Sequence, residues 1–208
     1  MSGSNPNTRV EAFSDGVFAI ALTLLIIDIK IPPGIENNAG LWRALAAIAP
    51  SLMAFALSFI VIFISWVSHH STMMLVNKTS GPFIYANGLL LFSIVVLPFP
   101  TALLGEHVFT SHAAPAVTVY NAVVALQGIA WIFLTEAAIE GGLTRNEVAR
   151  AAMASNRRNA YAGLVLYSAL AIAANWIPTI AIAITMATWL FWLGVGLYLL
   201  GQARTESA

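Results

Sequence analysis

Residues Arg9 to Ile31 read RVEAFSDGVFAIALTLLIIDIKI, an apolar run long enough to cross a bilayer that opens with an Arg, a Glu, a Ser and an Asp. A helix whose only task is anchoring excludes such groups, because an ionisable side chain in or near the hydrocarbon is costly unless it faces protein or water. Asp15 therefore makes this helix a candidate for function. The run ends in Asp28, Lys30, Pro32 and Pro33 rather than at a small-residue cleavage site, so the helix is expected to stay in the mature protein.

Working outward, the whole chain reads as membrane. Of 208 residues, 59% are hydrophobic and 9% charged, and the mean hydropathy is +0.83; a soluble domain carries roughly 25% charged residues. The formal net charge is zero, which gives no reason to expect nucleic acid as a partner. Without Cys there is no disulfide or thiolate chemistry. A bilayer core needs roughly 20 apolar residues per helix. Charges, glycines and prolines divide the chain into six predicted spans, about 12–31, 45–68, 82–104, 115–138, 160–176 and 179–200. Pro50 is expected to kink or restart the second span, and Pro98 and Pro100 to disturb the end of the third. The expected fold is an all-α integral membrane protein with six transmembrane helices, residues 1–208 forming one domain.

With a cytoplasmic N-terminus, Arg9, Lys78, Arg145, Arg150, Arg157, Arg158 and Arg204 fall inside, against Lys30 and Arg43 outside. Lys and Arg concentrate on the cytoplasmic side of membrane proteins, which predicts both termini inside a cell (inner) membrane. Thr144-Arg145-Asn146-Glu147 has the capping-box pattern and predicts a short cytoplasmic connecting helix, about 145–158, leading into the fifth span.

On the first helix, Phe13, Val17, Ile20, Leu24 and Ile27 recur at spacings of 4, 3, 4 and 3 and form one stripe. Gly16 and Thr23 sit on its shoulder. Asp15 lies about 140° around the axis from Ile20. One side of the helix is thus expected to meet a polar cluster inside the protein, and the other something hydrophobic. Periodicity alone favours contact with lipid or a neighbouring helix, and Asp15 alone favours a structural partner such as Arg or His over a titrating carboxylate.

The segment from Arg9 through Phe13-Ser14-Asp15 into the apolar helix closely resembles the first-helix signature, RxxxFSD, of the endolysosomal potassium channel transmembrane protein 175 and its prokaryotic relatives. Trp66-Val-Ser-His69-His70 resembles the Trp-x-x-His segment of that family, and Leu97-Pro98-Phe99-Pro100-Thr101 the proline-rich end of its third helix. The resemblance implies a homotetramer of six-helix chains with the first helices lining a central pore. It implies a pore constriction of aliphatic side chains at positions matching Ile20, Leu24 and Ile27, beside a hydroxyl layer matching Thr23. It also implies a structural polar network of Arg9, Phe13, Ser14 and Asp15 with neighbouring helices, and the topology brings Trp66, His69 and His70 within reach of Asp15. On local grounds alone, Thr23 is expected to bond the carbonyl of Ala19.

The function so implied is a potassium-permeable cation channel with no TVGYG filter, a motif this sequence also lacks. A ring of Ile and Leu side chains holds water poorly and closes by dewetting; potassium, more weakly hydrated than sodium, loses less in passing it. Implied partners are a second copy of the chain, the lipid bilayer and monovalent cations, with no cofactor beyond permeant potassium and no fixed metal. The alternative is a proton-coupled secondary transporter using Asp15, against which stands the lack of visible inverted repeats. Adjacent His69 and His70 point about 100° apart and do not form a metal pair. His107 and His112 with Glu106 are expected to be solvated loop residues, and Glu136 and Glu140 helix-end charges. Neither Gly-x-Ser-x-Gly nor His-Glu-x-x-His occurs, so an enzyme has no support.

Overall fold

The computed structural model describes residues 7–205, with side chains described through Val195. Arg204, counted above toward the cytoplasmic charge, has its side chain outside that set, as do the last five residues of the expected sixth span. The regular elements of the described chain are all helices, with one isolated antiparallel bridge between Val76 and Thr144. In order the helices are α1 (Thr8–Leu24), α2 (Asn38–Ala47), α3 (Ala49–Met74), α4 (Gly81–Val96), α5 (Pro98–His107), α6 (Ala113–Glu140), α7 (Glu147–Ala173) and α8 (Pro178–Thr205).

Among the described residues four segments are long and apolar enough to cross a membrane: Ala49–Met74, Gly81–His107, Ala113–Glu140 and Pro178–Val195. The second of these joins α4 to α5 through Leu97. The α1 helix is shorter than expected, 17 residues. Past Leu24 the chain tightens, with Ile27 N bonded to Leu24 O at 3.1 Å and Ile29 N to Ile26 O at 3.2 Å, a three-residue spacing common where an α-helix ends.

Pro50 lies in the first turn of α3, directly after the α2–α3 break at Ile48, where its missing N–H leaves no helical bond unmade. Pro98 likewise opens α5. Two local expectations fail. The connecting helix and the fifth span are not separate, because α7 runs unbroken from Glu147 to Ala173; its first half is Ala-rich and holds no Gly or Pro to interrupt it. Its cap is Asn146 rather than Thr144, with Asn146 Oδ1 accepting from Ala149 N at 2.8 Å. Thr144 is extended instead, held in its bridge by Asn77 N to Leu143 O at 2.9 Å and Arg145 N to Leu75 O at 3.0 Å. The α6–α7 turn before it is a Schellman closure. Gly142 takes φ of +58°, and Leu143 N reaches back to Ala138 O at 3.0 Å.

α6 is central, packing on α4, α5, α7 and α8, while α1 lies in the angle between α3 and α4. Buried side chains form two apolar clusters, one around Phe18, Leu25, Val61, Ile94 and Tyr120, the other around Met73, Phe83, Leu90, Leu134 and Met153. In lipid, burial of apolar surface gives little drive to helix pairing, and close packing with interhelical hydrogen bonds takes its place. Both are present. Ser58 Oγ bridges Thr101 Oγ1 at 2.6 Å and Tyr120 OH at 3.0 Å, tying α3, α5 and α6. Thr101 donates to Leu97 O at 2.7 Å, so Ser58 donates to Thr101 and accepts from Tyr120. Farther along, Gln127 Nε2 donates to Ser65 Oγ at 2.8 Å and Thr185 Oγ1 to Asn121 Oδ1 at 2.8 Å.

The α3–α5 crossing depends on Gly105, where an added Cβ would lie 2.8 Å from Ser51 Cα. Backbone cannot yield as a side chain does, so Gly105→Ala is expected to cost about 1–3 kcal/mol through overpacking. Gly88→Ala, in open space on α4, is expected to be neutral or to gain a few tenths of a kcal/mol. Thermal unfolding of both variants in one detergent tests the contrast, and equal shifts would refute it.

Candidate functional site

The α1 helix is fixed on one side only. Ser14, Phe18, Ala21 and Leu25 are buried and follow one another at spacings of 4, 3 and 4, so the packed face is a single stripe. Away from it, Phe13 is 66% exposed, Ile20 60%, Leu24 40% and Ile27 63%. Val17, read in sequence as part of the same stripe, is half-buried and packs against the chain's own core. It lies on the edge of the stripe nearest Ser14 and Ala21, about 40–60° from them around the axis.

Thr23 is exposed, and its hydroxyl donates to Ile20 O at 2.9 Å, three residues back rather than to Ala19. That bond uses the only hydroxyl proton. The oxygen lone pairs stay free to accept or to meet a cation.

The polar groups of the first two turns reach two different helices. Trp66 Nε1 of α3 donates to Asp15 Oδ1 at 2.8 Å. Ser14 turns instead toward α4, where Asn87 Nδ2 donates to its Oγ at 3.0 Å. Ser14 itself donates to Val10 O at 2.8 Å. Its proton is thus committed, so the amide nitrogen of Asn87 must face Ser14 and the amide oxygen must face His69. His69 Nε2 lies 2.9 Å from Asn87 Oδ1 and is therefore the donor. The result is a directed chain, His69 to Asn87 to Ser14 to Val10 O, joining α3, α4 and α1, with Phe18 closing over the imidazole at a ring distance of 5.5 Å.

The histidines do not meet Asp15 as the sequence suggested. His69 is committed to Asn87, and His70 stacks on the Trp66 ring at 6.1 Å with planes 26° apart. A one-residue step on a helix turns the side chain by about 100°, which sends the two imidazoles to different neighbours. Nor is Asp15 enclosed, for it is exposed in the single chain. Arg9 and Phe13 are exposed too, and among the described residues the Arg9 side chain makes no hydrogen bond or ion pair. The residue that sequence reading missed is Asn87. Its one local signal is an amide in the apolar stretch Phe83-Ile-Tyr-Ala-Asn-Gly-Leu-Leu.

The Asp15–Trp66 bond crosses 51 residues of chain and pins α1 to α3. A double-mutant cycle of Asp15→Ala and Trp66→Phe is expected to show coupling of about 0.5–1.5 kcal/mol, modest because the carboxylate is exposed. Additive losses in unfolding temperature would show that the bond contributes nothing.

At the opposite end of α1, Asp28, Lys30 and Glu106 border a recess of about 180 Å³. His107 Nε2 lies 3.8 Å from Glu106 Oε2 at the surface, and the His112 ring lies 6.0 Å from that of His107. Glu136 accepts from Tyr161 OH at 3.0 Å. Among the described residues no cluster of His, Asp and Glu has the arrangement of a metal site.

Comparison with known proteins is consistent across sequence and structure. Residues 9–98 match the family model for the endosomal/lysosomal potassium channel TMEM175. A protein of Chamaesiphon minutus named a potassium channel is 49% identical over 113 residues, which span 54% of this chain and 56% of that relative. One of Chryseobacterium with the same name is 34% identical over 189 residues, 89% of this chain and 91% of the relative. Among solved structures, that of a lysosomal potassium-selective channel TMEM175 homologue from Chamaesiphon minutus superposes with a TM-score of 0.80 at 33% identity, covering 90% of this chain and 96% of the other.

Proposed function

This chain is a prokaryotic member of the TMEM175 family, and from that premise we propose that it is a potassium-permeable membrane channel whose pore is walled by α1. Six helices span the membrane in each chain: α1, α3, α4 with α5, α6, α7 and α8. A homotetramer brings the free faces of α1 together, with both termini cytoplasmic. Ile20, Leu24 and Ile27 form the constriction. Thr23, its proton held by Ile20 O, turns oxygen lone pairs toward a passing cation and replaces part of the hydration it sheds.

The observation that carries this reading is the asymmetry of α1: bonded and packed through Ser14, Asp15, Phe18 and Ala21, yet bare at Ile20, Leu24 and Ile27. A helix held rigidly along one side can present the other to a symmetry axis without moving when ions pass. An apolar collar also explains the lack of a carbonyl filter, since selectivity then rests on the cost of partial dehydration and favours potassium without strictness. The basic residues Lys78, Arg145 and Arg150 gather at the end of the bundle that holds the α1 N-terminus, which supports a cytoplasmic placement of that end. No catalytic group is required.

Reconstituted into liposomes under a potassium gradient, the protein is expected to pass current that reverses near the potassium potential and is independent of an imposed proton gradient. Flux that follows the proton gradient would make it a coupled carrier with Asp15 as the titrating group. Absence of flux from correctly assembled protein would end the channel assignment.

A further inference from the structure

Away from α1, a cavity of about 410 Å³ opens between α3, α6, α7 and α8, within the size range of small-molecule sites. Trp131, Tyr167, Trp189 and Trp192 give it aromatic walls. Asn156, half-buried, and Asn159 and Ser68, exposed at the mouth, border it with amides and a hydroxyl that have no hydrogen-bond partner among the described residues. Thr72 borders it as well, fully buried, and its hydroxyl is also without a partner. Among the described residues no Asp, Glu, Lys or Arg lines the space.

The lining is sorted along α7. Asn156, Asn159, Gly163 and Tyr167 follow at spacings of 3, 4 and 4 on one face, so the amides lie toward the basic end of the helix and the aromatic ring about two turns deeper. There Tyr167 stacks on Trp189 of α8 at 6.0 Å with planes 14° apart. Gly163 keeps the middle open, since a Cβ added to it would meet nothing closer than the Tyr167 ring at 3.9 Å. A buried, unpaired hydroxyl such as that of Thr72 is expensive, and the half-buried amide of Asn156 shares part of that cost. Water would satisfy them but would leave the aromatic faces wet, whereas an alkyl chain alone would leave the amides unpaired. The wall matches a molecule with one polar end and one apolar end, and it offers no counter-charge for an ionic head.

We propose that this cavity binds an uncharged amphiphile, its hydroxyl- or carbonyl-bearing head on Asn156 and Asn159 and its apolar body against Tyr167, Trp189 and Trp192. The site is separate from the proposed pore.

The test uses the full chain in phosphatidylcholine nanodiscs and follows tryptophan fluorescence during titration with a monoacylglycerol brominated on its chain. Bromine quenches indole at contact, so occupancy is read directly. Saturable quenching is expected, with apparent affinity about tenfold weaker for the fatty acid of the same brominated chain in its ionised form. A loss of about tenfold or more is expected in Gly163→Leu, which fills the cavity, and in Asn156→Leu, which removes a head contact without filling it. Circular dichroism and elution volume confirm that each variant is folded, and either variant suffices if the other is not. Non-saturating quenching that is identical in the wild type and a folded variant means partition into the bilayer only and overturns the site. Equal affinity for the ionised acid overturns the requirement for an uncharged head.

Discussion

Ile20→Asn is expected to raise potassium flux about tenfold or more, because lowering a permeation barrier by about 1.4 kcal/mol is enough for that factor. In the proposed ring of Ile side chains nothing hydrogen-bonds to water, so its narrowest point would drain and an ion would cross it with part of its shell stripped. An amide there holds water and supplies an oxygen. Selectivity for potassium over sodium should fall at the same time, since a wetter collar demands less dehydration. Ile20 is 60% exposed within its own chain, so the substitution leaves the helix packing intact and the change in flux reports on permeation. Ile26, also exposed at 50%, lies past the end of α1 and is not one of the residues assigned to the constriction. Ile26→Asn therefore serves as the control and should leave flux unchanged. An unaltered current in Ile20→Asn, or an equal rise in both variants, would remove α1 from the pore wall.

Asn87→Leu is expected to be the most damaging single substitution outside the pore, lowering stability by about 2–4 kcal/mol, since it strands a buried donor as well as deleting bonds. Asn87 accepts from His69 and donates to Ser14, and all three are buried. With Leu in its place, the His69 Nε2 proton has no acceptor in an apolar surrounding. Ser14 suffers less, because its own proton stays on Val10 O. The sign of the effect is separable from its size. Adding His69→Leu to Asn87→Leu removes the stranded donor, and the double variant should regain a substantial part of the lost stability, as apolar replacement of both partners generally does. Thermal unfolding and the oligomer distribution of the single and double variants measure this, and a double variant worse than the sum of its parts would mean that packing, not the hydrogen bond, holds the helices together.

Much of this arrangement is legible locally. The apolar runs mark the four segments long and apolar enough to cross a membrane, and the RxxxFSD signature marks the family, because hydropathy and backbone restriction act on neighbouring residues. The prolines behave as their chemistry dictates: Pro50 and Pro98 open helices. Where local rules compete, tertiary pairing chooses. Thr144 and Asn146 are both competent caps, and the choice of Asn146 follows from the bridge to Val76, a partner 68 residues away. The extent of α7 was obscured for a related reason. Arg150, Arg157 and Arg158 read as a break between a surface helix and a span, yet charge does not interrupt a backbone that Ala and other good helix formers sustain.

The polar network shows the boundary most clearly. Asp15 is conspicuous in sequence because a carboxylate among apolar residues needs a partner, but which partner it takes depends on how α1 rotates against α3. Trp66 wins it, His70 stacks on the Trp66 ring, and His69 turns to an amide on α4 that no spacing rule connects with the first helix. One-dimensional patterning thus settles which residues form helices, which are apolar and which single groups are too polar to be left alone. The rotation of α1 that buries Ser14 and Phe18 and bares Ile20, Leu24 and Ile27 was decided only when three helices packed, because a hydrogen bond between residues far apart in the chain depends on relative orientation, and local composition carries no record of it.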